Sequence, residues 1–103
     1  MPKLTIVGTT TWGITVALLL SRRGTNACIW ARTEREANAL RSNGPDPTRF
    51  PGVTFPKEIT VTSHIEEAMD GSKAVLLAVP SQTMRQNIRL LKNNLIKSSA
   101  EIF

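Results

Sequence analysis

Ile6-Val7-Gly8-Thr9-Thr10-Thr11-Trp12-Gly13 joins two apolar runs of different character. Before it, Lys3 to Val7 is mostly apolar and β-branched, which reads as a buried strand of a parallel sheet. After it, Trp12 to Arg23 reads as a helix that is apolar almost all round, through Ile14, Val16, Ala17, Leu18, Leu19 and Leu20. The connection is a short, hydroxyl-rich turn with a glycine at each end. A strand that feeds a helix through such a turn presents free N–H groups and a partial positive charge, the ingredients of a phosphate cradle.

Working outward, Arg22 and Arg23 suit the negative end of the first helix, and Gly24 suits its C′ position. Asn26 to Trp30 predicts a second strand. Thr33-Glu34-Arg35-Glu36 predicts a capping box, in which Thr33 accepts from the N3 amide and Glu36 reaches back to the Thr33 amide. That helix runs on to about Ser42. The order strand, helix, strand, helix is the start of a doubly wound α/β sheet.

Residues 43–56 break the rhythm with Asn43-Gly44-Pro45, Asp46-Pro47, Phe50-Pro51-Gly52 and Phe55-Pro56. So long an irregular segment is either a functional loop or a linker. Phe50, Val53 and Phe55 give it apolar anchors, which favours the loop. Ile59 to Thr62 predicts a strand, and Ser63 is placed to cap a brief helix from His64 to Met69 that buries Ile65, Ala68 and Met69. Lys73 to Val79 predicts a strong strand closed by Pro80. An amphipathic helix then follows Ser81, burying Met84, Ile88, Leu91 and Leu95, and Ala100 to Phe103 opens another strand. A parallel sheet ending in a part-formed edge strand reads as the front of a longer protein, with apolar surface left exposed near Leu18 to Leu20 and Val75 to Val79.

Composition excludes several classes. The 103 residues suffice for one domain with a core. The net charge of +5 raises the question of nucleic acid, but the basic residues are spread out and aromatic residues are scarce, so no nucleic-acid partner is expected. The lone Cys28 forms no internal disulfide and reads as a small buried side chain, and the lone His64 lacks the companions of a metal site. The apolar run from Ile14 to Leu20 is too short to span a membrane, and no basic segment precedes it as in a signal peptide. A cytoplasmic location is expected.

In a dinucleotide fingerprint the first glycine permits the tight turn, the second lets the backbone approach the pyrophosphate, and the third lets helix pack on strand. Gly8 and Gly13 stand at the first and third positions, and Thr10 at the second. A β-branched residue there crowds the pyrophosphate, and a positive φ would cost about 1–2 kcal/mol. The hydroxyls of Thr9, Thr10 and Thr11 are candidate substitute donors. The plain alternative is that the glycines merely shape a βα turn. Beyond the second strand, Trp30-Ala31-Arg32 supplies an arginine and no acid. Arg32 either meets an adenosine 2′-phosphate, favouring NADP with NAD as the second option, or is a solvated arginine.

Gly8-x-x-x-Trp12-Gly13, Trp30-Ala31-Arg32, Phe50-Pro51-Gly52-Val53 through Pro56, and Ala78-Val79-Pro80-Ser81-Gln82 together resemble the N-terminal domain of bacterial NAD(P)-dependent glycerol-3-phosphate dehydrogenase, in order along the chain. The resemblance implies a Rossmann-like, doubly wound, mostly parallel sheet over residues 1–103, truncated before the sheet and a second, helical substrate domain are complete. It implies hydride transfer between a nicotinamide dinucleotide and the glycerol 3-phosphate/dihydroxyacetone phosphate pair, feeding phospholipid synthesis, with a small phosphorylated substrate bound by the full-length protein. A homodimer is one assembly open to it. Carried over by position, Thr11 and Trp12 match cofactor contacts, Arg32 matches the adenosine end, and Val79 and Pro80 line the cofactor cleft beside Ser81 and Gln82. Pro51 and Gly52 match a loop near that cleft. Thr10 departs from the usual glycine. The family's catalytic lysines fall beyond Phe103, and Lys92 and Lys97 do not match them, so no catalytic residue is assigned. Two alternatives stay open: the Rossmann domain of another small-substrate dehydrogenase, and a stand-alone, non-catalytic nucleotide-binding module.

Overall fold

In a computed structural model, which describes residues 3–78, Arg89 and the backbone of 101–102, five parallel strands form one sheet. The elements are β1 (Lys3–Val7), α1 (Thr11–Ser21), β2 (Asn26–Trp30), α2 (Glu34–Asn43), β3 (Ile59–Thr62), α3 (Ile65–Met69), β4 (Ala74–Leu77) and β5 (Glu101–Ile102). Their order across the sheet is β3-β2-β1-β4-β5. The chain therefore winds outward from β1 to β3 and returns to the other side of β1 as β4. The point of reversal lies between β1 and β4, where open α/β sheets place their ligands.

Alternate residues of β1 divide the core. Ile6 faces the cluster completed by Ile14 and Ala17 of α1 and Ala37 of α2. Val7 faces the other cluster, with Cys28, Trp30, Val75 and the α3 residues Ala68 and Met69. Both faces of the central strand are covered, which explains why its sequence shows no polar alternation. Thr5 lies on the α3 face at full burial. Its hydroxyl is satisfied by the Ala68 carbonyl at 2.6 Å and Ser72 Oγ at 2.9 Å.

Several expectations change. Ser63 does not cap α3: His64 holds the N-cap position without a side-chain bond, and the Ser63 hydroxyl donates to Glu34 instead. Among the described residues the exposed large apolar side chains are those of α1, Trp12 and Leu19, the latter 55% exposed, whereas Val75 is fully buried and Val79 lies outside the described residues. The reason is that β4 is flanked by β1 and β5 and covered by α3. Residues 44–58 form a folded loop. Asp46 organises it, accepting from the Phe50 amide at 2.8 Å and, through Oδ1, from the Thr48 amide at 2.9 Å. Pro45 is fully buried, and Phe50 and Phe55 pack against the α1–α2 cluster. The expected helix after Ser81 lies outside the described residues, apart from Arg89, which is helical and exposed.

Candidate functional site

Gly8 leaves β1 with φ 115°, a conformation open to glycine and strained for other residues, and its amide donates to the Trp30 carbonyl at 3.1 Å. This ties the turn to the carboxyl end of β2. Thr10 then caps α1. Its backbone is extended, with φ −68°, so the strain expected of a threonine at this position does not arise. Its Oγ1 accepts from the Gly13 amide at 3.3 Å and donates to the Ala78 carbonyl at 2.9 Å, bridging the ends of β1 and β4. Gly13 faces the same junction. A Cβ there would stand 2.7 Å from Ala78 Cβ and 3.1 Å from Ile6 Cγ2, so only glycine lets α1 sit this close to the sheet.

The α1 N-terminus is therefore presented at the point where the strand order reverses. Its first turn contains no acidic residue. The Thr11 and Trp12 amides are too near the helix start to find an intrahelical acceptor, and they lie at the positive end of the helix dipole. Trp12 is 56% exposed beside them. These groups fit an anionic phosphate. The threonine hydroxyls are less free than the sequence suggested. Thr9 donates to Glu36 and Thr10 to Ala78, while Thr11 accepts from Arg49 and keeps its own proton.

Two of these contacts were not foreseen. Glu36 accepts from Thr9 rather than closing the capping box back onto Thr33, although Thr33 does accept from the Glu36 amide at 3.1 Å. Arg49 reaches the turn from the irregular loop. Thr9, Thr11, Glu36 and Arg49 line a cavity of about 340 Å³ between α1, α2 and that loop, walled by Ile14, Leu40 and Phe50. An acid some twenty residues beyond a glycine-rich turn was the available signal for Glu36. Nothing local announced Arg49.

Arg32 lies just past β2, exposed and without an ion pair among the described residues. Val79 and Pro80 lie outside the described residues, one and two positions beyond the buried Ala78. Cys28 is buried, and that burial raises its thiol pKa, which disfavours the thiolate needed for nucleophilic chemistry. Among the described residues no group of three or more His, Cys, Asp or Glu is placed to hold a metal ion, and no helix is long and apolar enough to cross a membrane.

Residues 3–102 match the family described as NAD-dependent glycerol-3-phosphate dehydrogenase N-terminus. The chain belongs to this family. A glycerol-3-phosphate dehydrogenase [NAD(P)+] of Dehalococcoides mccartyi is 46% identical over 99 residues, covering 95% of this chain and 28% of the relative. One from Fusobacterium nucleatum is 37% identical over 93 residues, covering 90% of this chain and 28% of the relative. The crystal structure of a glycerol-3-phosphate dehydrogenase from Coxiella burnetii superposes with TM-score 0.86 at 24% identity, over 98% of this chain and 31% of that one. The Saccharomyces cerevisiae enzyme follows at TM-score 0.71 and 18% identity, over 89% of this chain and 30% of that one. These two share the Rossmann-like fold. The chain thus spans less than a third of the length of these relatives, in the part that the family description assigns to the N-terminus.

Proposed function

We propose that this chain is the cofactor-binding part of an NAD(P)-dependent glycerol-3-phosphate dehydrogenase. The reaction is hydride transfer between NAD(P)H and dihydroxyacetone phosphate, giving glycerol 3-phosphate for phospholipid synthesis. The observation that carries this reading is the α1 N-terminus, opened by Gly8, set close by Gly13 and left without an acid of its own at the β1–β4 reversal. A dinucleotide supplies the redox chemistry when bound. This chain binds and orients it: the Thr11 and Trp12 amides meet the pyrophosphate, with Thr10 fixing the turn. Val79 and Pro80 border the cleft. Arg32 meets the adenosine 2′-phosphate, which makes NADP the preferred cofactor. The catalytic groups and the site for the phosphorylated substrate belong to the region of the relatives that this chain does not span. The buried free thiol of Cys28 suits a reducing cytoplasm.

Titrating the protein with NADPH and NADH by fluorescence tests this reading. NADPH is expected to bind the more tightly. Arg32→Ala is expected to weaken NADPH about tenfold and NADH little, since a charge-assisted bond to phosphate is removed. Absence of binding at millimolar cofactor overturns the assignment, and an unchanged NADPH/NADH ratio in Arg32→Ala overturns the role of Arg32.

A further inference from the structure

We infer that Arg41 closes the free edge of the sheet, and that without it β3 pairs with β3 of a second copy of this chain. The inference is independent of the cofactor reading. β3 ends the strand order β3-β2-β1-β4-β5, so among the described residues one of its edges has no neighbouring strand. The Glu58 and Thr62 carbonyls face β2, where they accept from the Ala27 and Ala31 amides. Backbone groups alternate in direction along a strand, so the N–H and C=O of Ile59 and Val61 point to the open edge. All four residues of β3, Ile59 to Thr62, are β-branched and none is charged. Such an edge is a ready template for another strand.

Two of the four outward groups are taken. The Ile59 amide donates to the Pro56 carbonyl at 3.0 Å, and the Val61 carbonyl accepts from Arg41 Nη1 at 2.9 Å. The guanidinium is held from behind by α2: Nη2 donates to Glu34 Oε1 at 2.6 Å and to Asn38 Oδ1. Glu34 is fixed in turn by the Ser63 hydroxyl. Arg41 thus stands where an incoming strand would lie, in a groove of about 480 Å³ lined also by Phe55, Ile59, Thr60 and Val61. The other two outward groups, the Val61 amide and the Ile59 carbonyl, have no partner among the described residues. They suit each other across a two-fold axis. In an antiparallel pair centred on Thr60, Val61 of each copy faces Ile59 of the other, so each free amide meets a free carbonyl. Removing the guanidinium clears the groove and frees the Val61 carbonyl as well. Charged side chains on edge strands oppose such pairing, and here the charge is lent by the neighbouring helix because β3 carries none.

The test measures self-association by analytical ultracentrifugation over a concentration series, for the 103-residue protein and its variants. Arg41→Met keeps the apolar stem and removes the donors, and is expected to tighten self-association about tenfold. Asn38→Ala slackens the hold on Arg41 from the exposed side of α2. It is expected to act the same way by a smaller factor, which covers the case of a poorly folded Arg41→Met. Thr60 is exposed and would face itself across the two-fold axis. Adding Thr60→Lys to either variant sets like charges side by side and is expected to restore the mass of the unaltered protein. Association unchanged in both Arg41→Met and Asn38→Ala overturns the inference. So does association that Thr60→Lys leaves in place, since the contact would then lie on another surface, such as that of the exposed Leu19 on α1.

Discussion

The two strand-to-helix turns at the carboxyl edge of the sheet share their capping chemistry and differ in charge. Thr10 and Thr33 both occupy N-cap positions with extended backbones, and each accepts from the amide three residues on. Their helices then diverge. The first turn of α1 holds no acid, whereas that of α2 holds Glu34 and Glu36. A helix start with two carboxylates neutralises its own dipole, and one with none leaves it for an outside anion. The packing differs as well. α1 is drawn onto β1 and β4 through Gly13, while α2 buries only Ala37. The difference teaches that capping begins a helix here, and that the composition of the first turn decides what the helix end is available to bind.

The largest effect is expected where the closeness of α1 is removed. Gly13→Ala places a methyl against Ala78 Cβ and should cost about 1–3 kcal/mol in denaturant unfolding, from overpacking against parts that cannot swing away. Adding Ala78→Gly should recover much of that loss. Failure of the second change to rescue the first would show that the tightness is not located at this contact.

A smaller effect separates the two caps. Thr10→Val and Thr33→Val should each cost about 1 kcal/mol for the lost cap. Thr10→Val should cost about 1 kcal/mol more, because it also strips the Ala78 carbonyl of its donor. Equal losses in urea titrations would reduce Thr10 to an ordinary cap with no hold on β4.

The smallest effect concerns the acids of α2. The Glu34 carboxyl is held below its ordinary value, first by the Ser63 hydroxyl and then by Arg41, whose Nη2 lies 2.6 Å from Oε1. Its folded value is thus the lower one, so its contribution to stability is present above the unfolded value of about 4.5 and fades as pH falls through the folded value. The side chain is exposed, so the stability change should be slight. A carboxyl titration followed by NMR should show a midpoint below 4.5 that climbs toward it in Ser63→Ala. No movement would mean that Glu34 is poised by Arg41 alone.

Much of the fold was legible because its signals are local. The β2 and β3 boundaries agree with the apolar runs, α1 starts one residue before Trp12, and α2 follows its Thr33 cap. The turn was legible for the same reason, since Gly8 and Gly13 have steric duties that few other residues can perform. Ser63 misled because a serine before a helical pattern resembles a cap, while a carboxylate elsewhere in the fold offered its hydroxyl a better partner. Glu36 misled in the opposite sense. Its spacing from Thr33 satisfies a capping box, yet a hydroxyl 27 positions away took the side chain.

By itself, then, the sequence determined the alternation of strands and helices, the tight turn at Gly8 and the place of the chain in its family. The first two depend on residues within a few positions of one another, where periodicity, capping and backbone sterics act, and the third on short motifs set in order from Gly8 to Gln82. The tertiary structure alone decided that Thr10 turns its hydroxyl to Ala78, that Arg49 reaches Thr11 and that Glu36 faces the turn. Those contacts join side chains far apart in the chain, and they form only once the order β3-β2-β1-β4 has set strand ends side by side. A polar group then takes the best partner that the folded surroundings offer, which its neighbours in sequence do not specify.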